Sequence, residues 1–164
     1  MIDILIDELT NLIRHRITNT SVETVIQKIN PNELFQLKNW QFDWQQETRN
    51  NDVYKLTVVE LPEKIQGVIS MQIKKGYILV SLVENAPFNI GKNGIYEGVA
   101  GNLFAFACKL SFEMGFEGFV SFIAKTDLIE HYKKMVFAKL LHGQTMMIEP
   151  LEAQRLIQQY FKND

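Results

Sequence analysis

Apolar residues recur at every third or fourth position near the start of the chain. The positions on this stripe are Ile2, Leu5, Ile6, Leu9, Leu12 and Ile13. Such spacing is typical of an amphipathic helix, and we predict a helix over residues 2–16, within an accessory region of residues 1–18. Its apolar face packs either on the core of the same domain or on a second subunit of a homodimer.

Alternating and continuous apolar runs then predict a sheet. Residues 22–29 alternate as a strand. Three further strands are predicted at residues 53–61, 65–73 and 77–84. Because only the short turns Pro62-Glu-Lys and Lys74-Lys-Gly separate these three, they form an antiparallel meander. The last of them is apolar almost throughout, as a central strand is.

Two polar segments connect the first strand to the meander. Asn30 followed by Pro31 has the cap and the first-turn proline of a short helix. Residues 47–52 are uniformly polar, and we predict that they form a loop.

A long apolar helix follows the meander. Its stripe contains Leu103, Ala107, Leu110 and Met114, and Gly115 ends it. Residues 118–124 are the next buried strand, so strand, helix and strand make a βαβ unit with two parallel strands. The remaining elements are predicted as a helix over residues 127–134, a strand over residues 144–148 and a helix over residues 150–161. The fold class is therefore α/β with a mixed sheet.

The composition is typical of one globular domain, residues 1–164, without a nucleic-acid or membrane partner. The 164 residues are 46% hydrophobic, which is enough to fill one core. A net charge of −2 gives no basic surface for nucleic acid. The first residues carry acids where a signal peptide carries bases, and no apolar run has the length of a membrane span. We therefore expect a cytoplasmic protein.

Cysteine and histidine are too sparse to predict a disulfide or a metal site. Cys108 is the single cysteine, and His15, His131 and His142 are far apart in the sequence. Cys108 lies within the apolar helical stripe, so we predict a small core residue and not a nucleophile.

Small residues cluster where the long helix begins, at Gly98, Ala100 and Gly101. The free N–H groups of a first helical turn favour an anion, and missing side chains let a phosphate approach the backbone. Alternatively, the glycines serve only a tight turn or close helix packing. No Gly-Lys-Ser/Thr follows, which excludes a Walker loop, and the preceding meander excludes a dinucleotide fold.

The element order over residues 22–148 and this glycine segment resemble the GNAT superfamily of acyl-CoA-dependent N-acetyltransferases. Ile95-Tyr-Glu-Gly98-Val-Ala100 falls on the family's Gln/Arg-x-x-Gly-x-Gly/Ala pyrophosphate loop. Gly98 and Ala100 match this pattern, whereas Ile95 stands where the family prefers Gln or Arg. Lys92, in the preceding loop, is a candidate for the missing cation.

A second segment, residues 125–137, is similar to the family's Asn-x-x-Ala-x-x-Phe-Tyr-x-Lys-x-Gly-Phe motif. Tyr132, Lys134 and Phe137 match at the right spacing. The positions that depart from the motif are Lys125, Leu128, His131 and Val136.

The resemblance implies a cofactor site for acetyl-CoA as acyl donor. The strand over residues 77–84 would splay from its parallel neighbour at a bulge, and backbone groups at Leu82 and Val83 would orient the pantetheine arm. The backbone N–H groups that would hold the pyrophosphate follow Gly98 and belong to Val99, Ala100, Gly101 and Asn102.

The resemblance also implies catalytic roles for acetyl transfer to a primary amine. Tyr132 takes the position of the general acid that protonates the CoA thiolate, and it also contacts the cofactor. We select Glu84 as the general base, with Glu60 second and a water chain to bulk as the alternative to both. His131 is expected to pack or to face solvent, because adjacent helical residues point about 100° apart.

Three functions are consistent with these features. The first is an acetyl-CoA-dependent N-acetyltransferase acting on an amine-bearing small molecule or peptide. The second is a non-catalytic acyl-CoA-binding or interaction module, which the departures at Ile95, Lys125 and Val136 motivate. The third is a toxin-like acetyltransferase of charged tRNA, which the acidic chain disfavours.

Overall fold

The computed structural model describes residues 1–6 and 13–161. In chain order the strands are β1 (Ile13–His15), β2 (Ser21–Val22), β3 (Thr24–Lys28), β4 (Asp52–Val58), β5 (Leu61–Ile73), β6 (Ile78–Asn85), β7 (Tyr96–Glu97), β8 (Val120–Ile123), β9 (Lys139–His142) and β10 (Thr145–Ile148). The α-helices are α1 (Trp44–Asn50), α2 (Val99–Glu113), α3 (Ile129–Met135) and α4 (Pro150–Tyr160). Short 3-10 helices cover Pro31–Leu37, Pro87–Asn89 and Thr126–Leu128.

The main sheet has the strand order β3-β4-β5-β6-β8-β10-β9. β4, β5 and β6 form the predicted antiparallel meander, and β3 extends it by pairing antiparallel with β4. β6 and β8 pair in parallel across α2, as the βαβ prediction requires. A small sheet of order β2-β1-β7 lies apart from this one. The predicted fold class, a mixed α/β sheet with flanking helices, is confirmed.

Apolar residues on the two faces of the sheet form separate core clusters. Along β4, Leu56 and Val58 belong to the large cluster under α2, whereas Val53 belongs to a smaller cluster around Trp44 and Leu37. This division follows from the alternation of side chains along a strand. The sheet is therefore covered by α2 on one face and by the 3-10 helix and α1 on the other.

The predicted helix over residues 2–16 is not formed where the structure describes that range. Ile2 forms a parallel β-bridge with Ala124, and β1 pairs with both β2 and β7. Residues 7–12 of the prediction lie outside the described residues. Ile2, Ile6 and Ile13 are buried as the stripe predicts, whereas Leu5 on the same stripe is exposed, and the backbone of these residues is not helical. Pairing with distant strands overrides local periodicity here.

Three further boundaries differ from the prediction. α1 extends over part of the predicted loop, because the Asp43 carboxylate accepts from Gln46 N–H at 3.0 Å and caps the helix. Pro62 lies inside β5, so the turn comes before it. β9 has no predicted counterpart, since all four of its residues are exposed.

Candidate functional site

β6 and β8 lie side by side for only part of their length. They pair up to Val80 and Phe122. β6 then continues to Asn85, while its pairing with β5 shifts by one residue at Ser81, which forms a β-bulge. The two strands diverge beyond this bulge, as predicted, and leave a cleft between the second half of β6 and the end of β8.

Residues 2–6, which we call the strap, run from the end of β8 to α3 at this cleft. Ile2 N–H donates to the Ile123 carbonyl at 2.7 Å, and the Ile2 carbonyl accepts from Lys125 N–H at 2.8 Å. The intervening Ala124 N–H donates to the opposite side, to the Gln144 carbonyl beside β10. Because backbone groups alternate along a strand, the strap occupies the edge of β8 that faces β6.

Tyr132, the predicted general acid, lies beneath the strap. Its hydroxyl donates to the Ile4 carbonyl at 2.6 Å. Its ring packs edge-on against Phe122, with 5.4 Å between centroids, and also contacts Phe104. Burial, with the Asp3 carboxylate adding to it, raises the pKa of the phenol far above its usual value. The phenol therefore keeps its proton at neutral pH and donates a hydrogen bond to the group that lies in the cleft.

His131 also contacts the strap. Its Nε2 accepts from Ile6 N–H at 2.8 Å, so this nitrogen carries no proton. Burial lowers the pKa of the imidazole, and the charge on Lys134 lowers it further. His131 therefore packs on the strap as a neutral acceptor, which agrees with the prediction that it is not a catalytic group facing the cofactor.

A cavity of about 630 Å³ separates the strap from β6. The apolar part of its wall includes Val83, Phe42 and Ile90, and its charged groups include Arg16 and Lys92. Leu82, the other predicted pantetheine contact, packs on the opposite face of the sheet with the smaller core cluster. The side chains of Leu82 and Val83 thus point to opposite faces.

Glu84, the predicted general base, is a buried acceptor for the segment that leads into α1. Its carboxylate accepts from Gln41 N–H at 2.7 Å, from Phe42 N–H at 3.1 Å and from Trp44 Nε1–H at 2.8 Å. Three donors directed at one carboxylate hold the segment on the sheet and fill most of its acceptor sites. This geometry gives Glu84 a structural role, and its role as the general base stays a prediction.

We predict that Glu84→Gln lowers the free energy of unfolding by about 2 kcal/mol, because an amide nitrogen replaces one acceptor oxygen and leaves a buried donor unpaired. Urea denaturation measures this change. Glu60→Gln is the matched control, because Glu60 is exposed in the turn after β4 and its stability should change by less than about 0.5 kcal/mol. Equal stability of the two variants would contradict the structural role of Glu84. Loss of activity in Glu60→Gln would identify the second candidate as the base.

The first turn of α2, the predicted pyrophosphate site, is closed by the protein itself. Gly98 is the helix N-cap, with φ of 94°, a conformation that favours glycine. Val99, Ala100, Gly101 and Asn102 are all buried. An added Cβ on Gly101 would lie 1.9 Å from the hydroxyl oxygen of Tyr160 in α4. Gly101 thus makes room for a tyrosine, which is the packing alternative considered from the sequence.

The small sheet contributes to this closure. β7 directly precedes Gly98 and pairs with β1, and an ion pair between Arg14 and Glu97 joins the two strands. On the side that faces α4, the first turn of α2 is filled by Tyr160. Cofactor binding by residues 98–102 stays a prediction.

Neither the strap nor Tyr160 could be recognised from the sequence as part of this site. The apolar stripe over residues 2–13 was the available signal, but it identifies burial and not the partner. Cys108 is a fully buried residue of α2, as predicted, and burial raises the pKa of its thiol. Lys92 is exposed at the cavity wall.

Among residues 1–6 and 13–161, no three His, Cys, Asp or Glu side chains are grouped closely enough to hold a metal ion. No helix within those ranges is both long and apolar enough to cross a membrane.

Comparisons with known proteins identify the fold. No family model and no curated protein matches this chain. A mutant AtaT toxin, solved with the C-terminus of the antitoxin AtaR and acetyl-CoA, matches with a TM-score of 0.54 and 12% identity over 81% of this chain and 97% of that chain. The spermidine/spermine N-acetyltransferase SpeG from Vibrio cholerae matches with a TM-score of 0.53 and 12% identity over 81% of this chain and 98% of that chain.

A third solved structure, the KacTA–DNA complex, has a TM-score of 0.55 and 10% identity over 87% of this chain and 100% of that chain. At such low identity these similarities concern the fold alone. The chain has the fold of the GNAT superfamily.

Proposed function

We propose that this chain is an N-acetyltransferase that moves an acetyl group directly from acetyl-CoA to a primary amine. The observation that carries the proposal is the divergence of β6 and β8 around a cleft into which Tyr132 donates a hydrogen bond. A thioester lying where the Ile4 carbonyl now lies would meet the same donor. The GNAT fold of the chain supports this assignment.

Tyr132 would act on the leaving group. The amine nitrogen attacks the thioester carbonyl carbon, so that a C–N bond forms and the C–S bond breaks. The phenol gives its proton to the departing thiolate. The surplus proton of the amine passes to water, from which the phenolate regains a proton. The products are the N-acetylated amine and free CoA.

The backbone of β6 would hold the acyl arm. Val83 lines the cavity beside the cleft, immediately after the bulge that separates β6 from β8. Fixing the arm against a rigid strand places the carbonyl carbon for attack, which accounts for much of the rate of such reactions. Contacts of the phosphates with Gly98 to Asn102 would additionally require that the first turn of α2 become accessible.

Water is the proposed proton acceptor, because the carboxylate of Glu84 is engaged by three donors. The cavity beside the strap opens to solvent past the exposed residues Leu5 and Ile90. A chain of water molecules through this opening would carry the proton away, which is the alternative to a carboxylate base.

A primary amine is the proposed acceptor class. The SpeG structure is that of a spermidine/spermine N-acetyltransferase, and AtaT is named as a toxin. The acceptor of this chain is therefore sought among polyamines, peptides and charged tRNA. The cavity wall beside the strap combines apolar residues with charges of both signs.

A non-catalytic acyl-CoA-binding or interaction module is the second candidate. The observation that favours it is the packing of Tyr160 against Gly101 at the predicted pyrophosphate site. A protein that binds no pyrophosphate at the first turn of α2 can fill that position with side chains.

Acetylation of an amine panel distinguishes the two candidates. The purified chain is incubated with acetyl-CoA and either spermidine, lysine, short peptides with free N-termini, or aminoacyl-tRNA. Released CoA thiol and acetylated product are then measured. We expect CoA release coupled to acetylation of at least one amine. Binding of acetyl-CoA without acetylation of any of them would overturn the enzyme proposal and favour the module.

A further inference from the structure

The strap occupies the β8 side of the cleft and the hydroxyl that acetyl transfer would need. Ile2 fills the backbone hydrogen-bonding positions that face β6 at the end of β8, on the Ile123 carbonyl and on the Lys125 N–H just beyond the strand. The Ile4 carbonyl takes the hydroxyl of Tyr132, whose side chain is fully buried as a result. While these contacts persist, Tyr132 cannot reach a sulfur atom in the cleft.

The strap is anchored by two buried side chains but belongs to neither sheet. Ile2 and Ile6 are buried, at 1% and 3% exposure, whereas Leu5 between them is 67% exposed. Asp3 and Ile4 are only half-buried. The strap meets the main sheet through the single β-bridge between Ile2 and Ala124, so its release breaks none of the pairings between the seven strands.

We infer that the strap is an intramolecular competitor of acyl-CoA, which must leave the edge of β8 before acetyl transfer can take place. This inference rests on the proposed function, because it assumes that acyl-CoA enters the same cleft. The strap resembles such a ligand chemically, since a peptide backbone and a pantetheine arm both present amide groups in an extended chain.

Only molecules in which the strap is released can bind acetyl-CoA in the cleft, so the apparent affinity is the intrinsic affinity multiplied by the released fraction. If that fraction is about 0.1 to 10%, as is common for a minor conformation, full release raises the affinity about 10- to 1000-fold. A permanent lock abolishes binding in the cleft. Both extremes can be produced by substitution.

Locking uses the bridge between Ile2 and Ala124. Neighbouring strands lie about 4.8 Å apart, within the Cα separation that a disulfide spans. In the double variant Ile2→Cys/Ala124→Cys, oxidation joins the two thiols. Cys108 is buried in α2 and can remain. Acetyl-CoA binding, measured by calorimetry, should fall at least about tenfold on oxidation and return on reduction.

Releasing uses Ile6→Asp, which places a charge at a buried anchor and expels the strap. Leu5→Asp is the matched control, because it adds the same charge to the same segment at an exposed position. We expect a gain of about tenfold or more in acetyl-CoA affinity for Ile6→Asp and a change of less than about twofold for Leu5→Asp. Faster hydrogen exchange at the Lys125 amide reports release independently of the ligand.

Two failures are distinguishable. Equal affinity of the oxidised and reduced double variant, with the disulfide verified by mass spectrometry, would overturn the competitor role and leave the proposed function standing. Absence of acetyl-CoA binding in Ile6→Asp, when the Lys125 amide exchanges freely, would overturn the proposed function itself.

Discussion

Gly101→Ala should lower the free energy of unfolding by about 2 to 3 kcal/mol, the cost of inserting atoms into a filled core. Its Cβ would lie 1.9 Å from the Tyr160 hydroxyl oxygen and 2.4 Å from the ring carbon that bears it. Tyr160 is fully buried at the end of α4, so its ring has little room to move. Thermal and urea denaturation would measure the loss.

The sign of this effect separates packing from local helix propensity. In an exposed helix interior, replacing glycine by alanine stabilises by up to about 1 kcal/mol. The double variant Gly101→Ala/Tyr160→Leu is the control, because removing the phenol ring removes the clash. The double variant should lose less stability than the two single variants lose in total, and the difference should be about 1 kcal/mol or more. A neutral or stabilising Gly101→Ala substitution would show that the first turn of α2 is open enough for a ligand.

Tyr132→Phe should reduce kcat for acetyl transfer by about 100-fold or more, the usual contribution of a positioned general acid. Phenylalanine keeps the ring packed against Phe104 and Phe122 and loses only the hydroxyl. The loss of the hydrogen bond to the Ile4 carbonyl costs about 1 kcal/mol of stability. Steady-state kinetics with the acceptor found by the amine panel would measure kcat and KM separately.

The matched control is Tyr54→Phe, which removes a hydroxyl from a half-buried tyrosine of β4 that contacts Phe106. Its kcat should stay within about twofold of the kcat of the unsubstituted protein. If Tyr132→Phe also keeps its kcat, Tyr132 serves only to pack the core and to hold the strap. A lower KM in Tyr132→Phe is an additional expectation, because the strap loses one of its hydrogen bonds.

The sequence identified the meander and the βαβ unit because each strand there has its own apolar pattern and a clear boundary. α2 was predicted closely, since its stripe is continuous and Gly115, with φ of 82°, ends it. β10 and α4 were likewise predicted close to their observed limits. Local information is sufficient for elements of this kind.

Residues 2–6 show where local information fails. Ile2 and Ile6 are four positions apart, which suits one face of a helix. The backbone of Ile2 is instead paired at the edge of β8, more than 100 residues away in the sequence. An apolar residue at a given spacing indicates burial but does not identify what covers it. The cleft in which the strap lies exists only because β6 and β8 diverge, and residues 2–6 carry no information about that divergence.

The candidate site was predicted unevenly for the same reason. Tyr132 could be selected because the motif around it is local. Glu84 was chosen for its position at the end of a central strand, yet its donors come from Gln41, Phe42 and Trp44, 40 to 43 positions earlier. The glycines before α2 were ambiguous in sequence, and a residue of the last helix explains one of them.

Amide hydrogen exchange with and without saturating acetyl-CoA tests the central claim most directly. If acyl-CoA enters the cleft between β6 and β8, exchange should slow at Leu82 and Val83 and accelerate at Ile2 and Ile6. Unchanged exchange at all four amides, with acetyl-CoA shown to be bound, would contradict the claim and place the cofactor elsewhere on the protein.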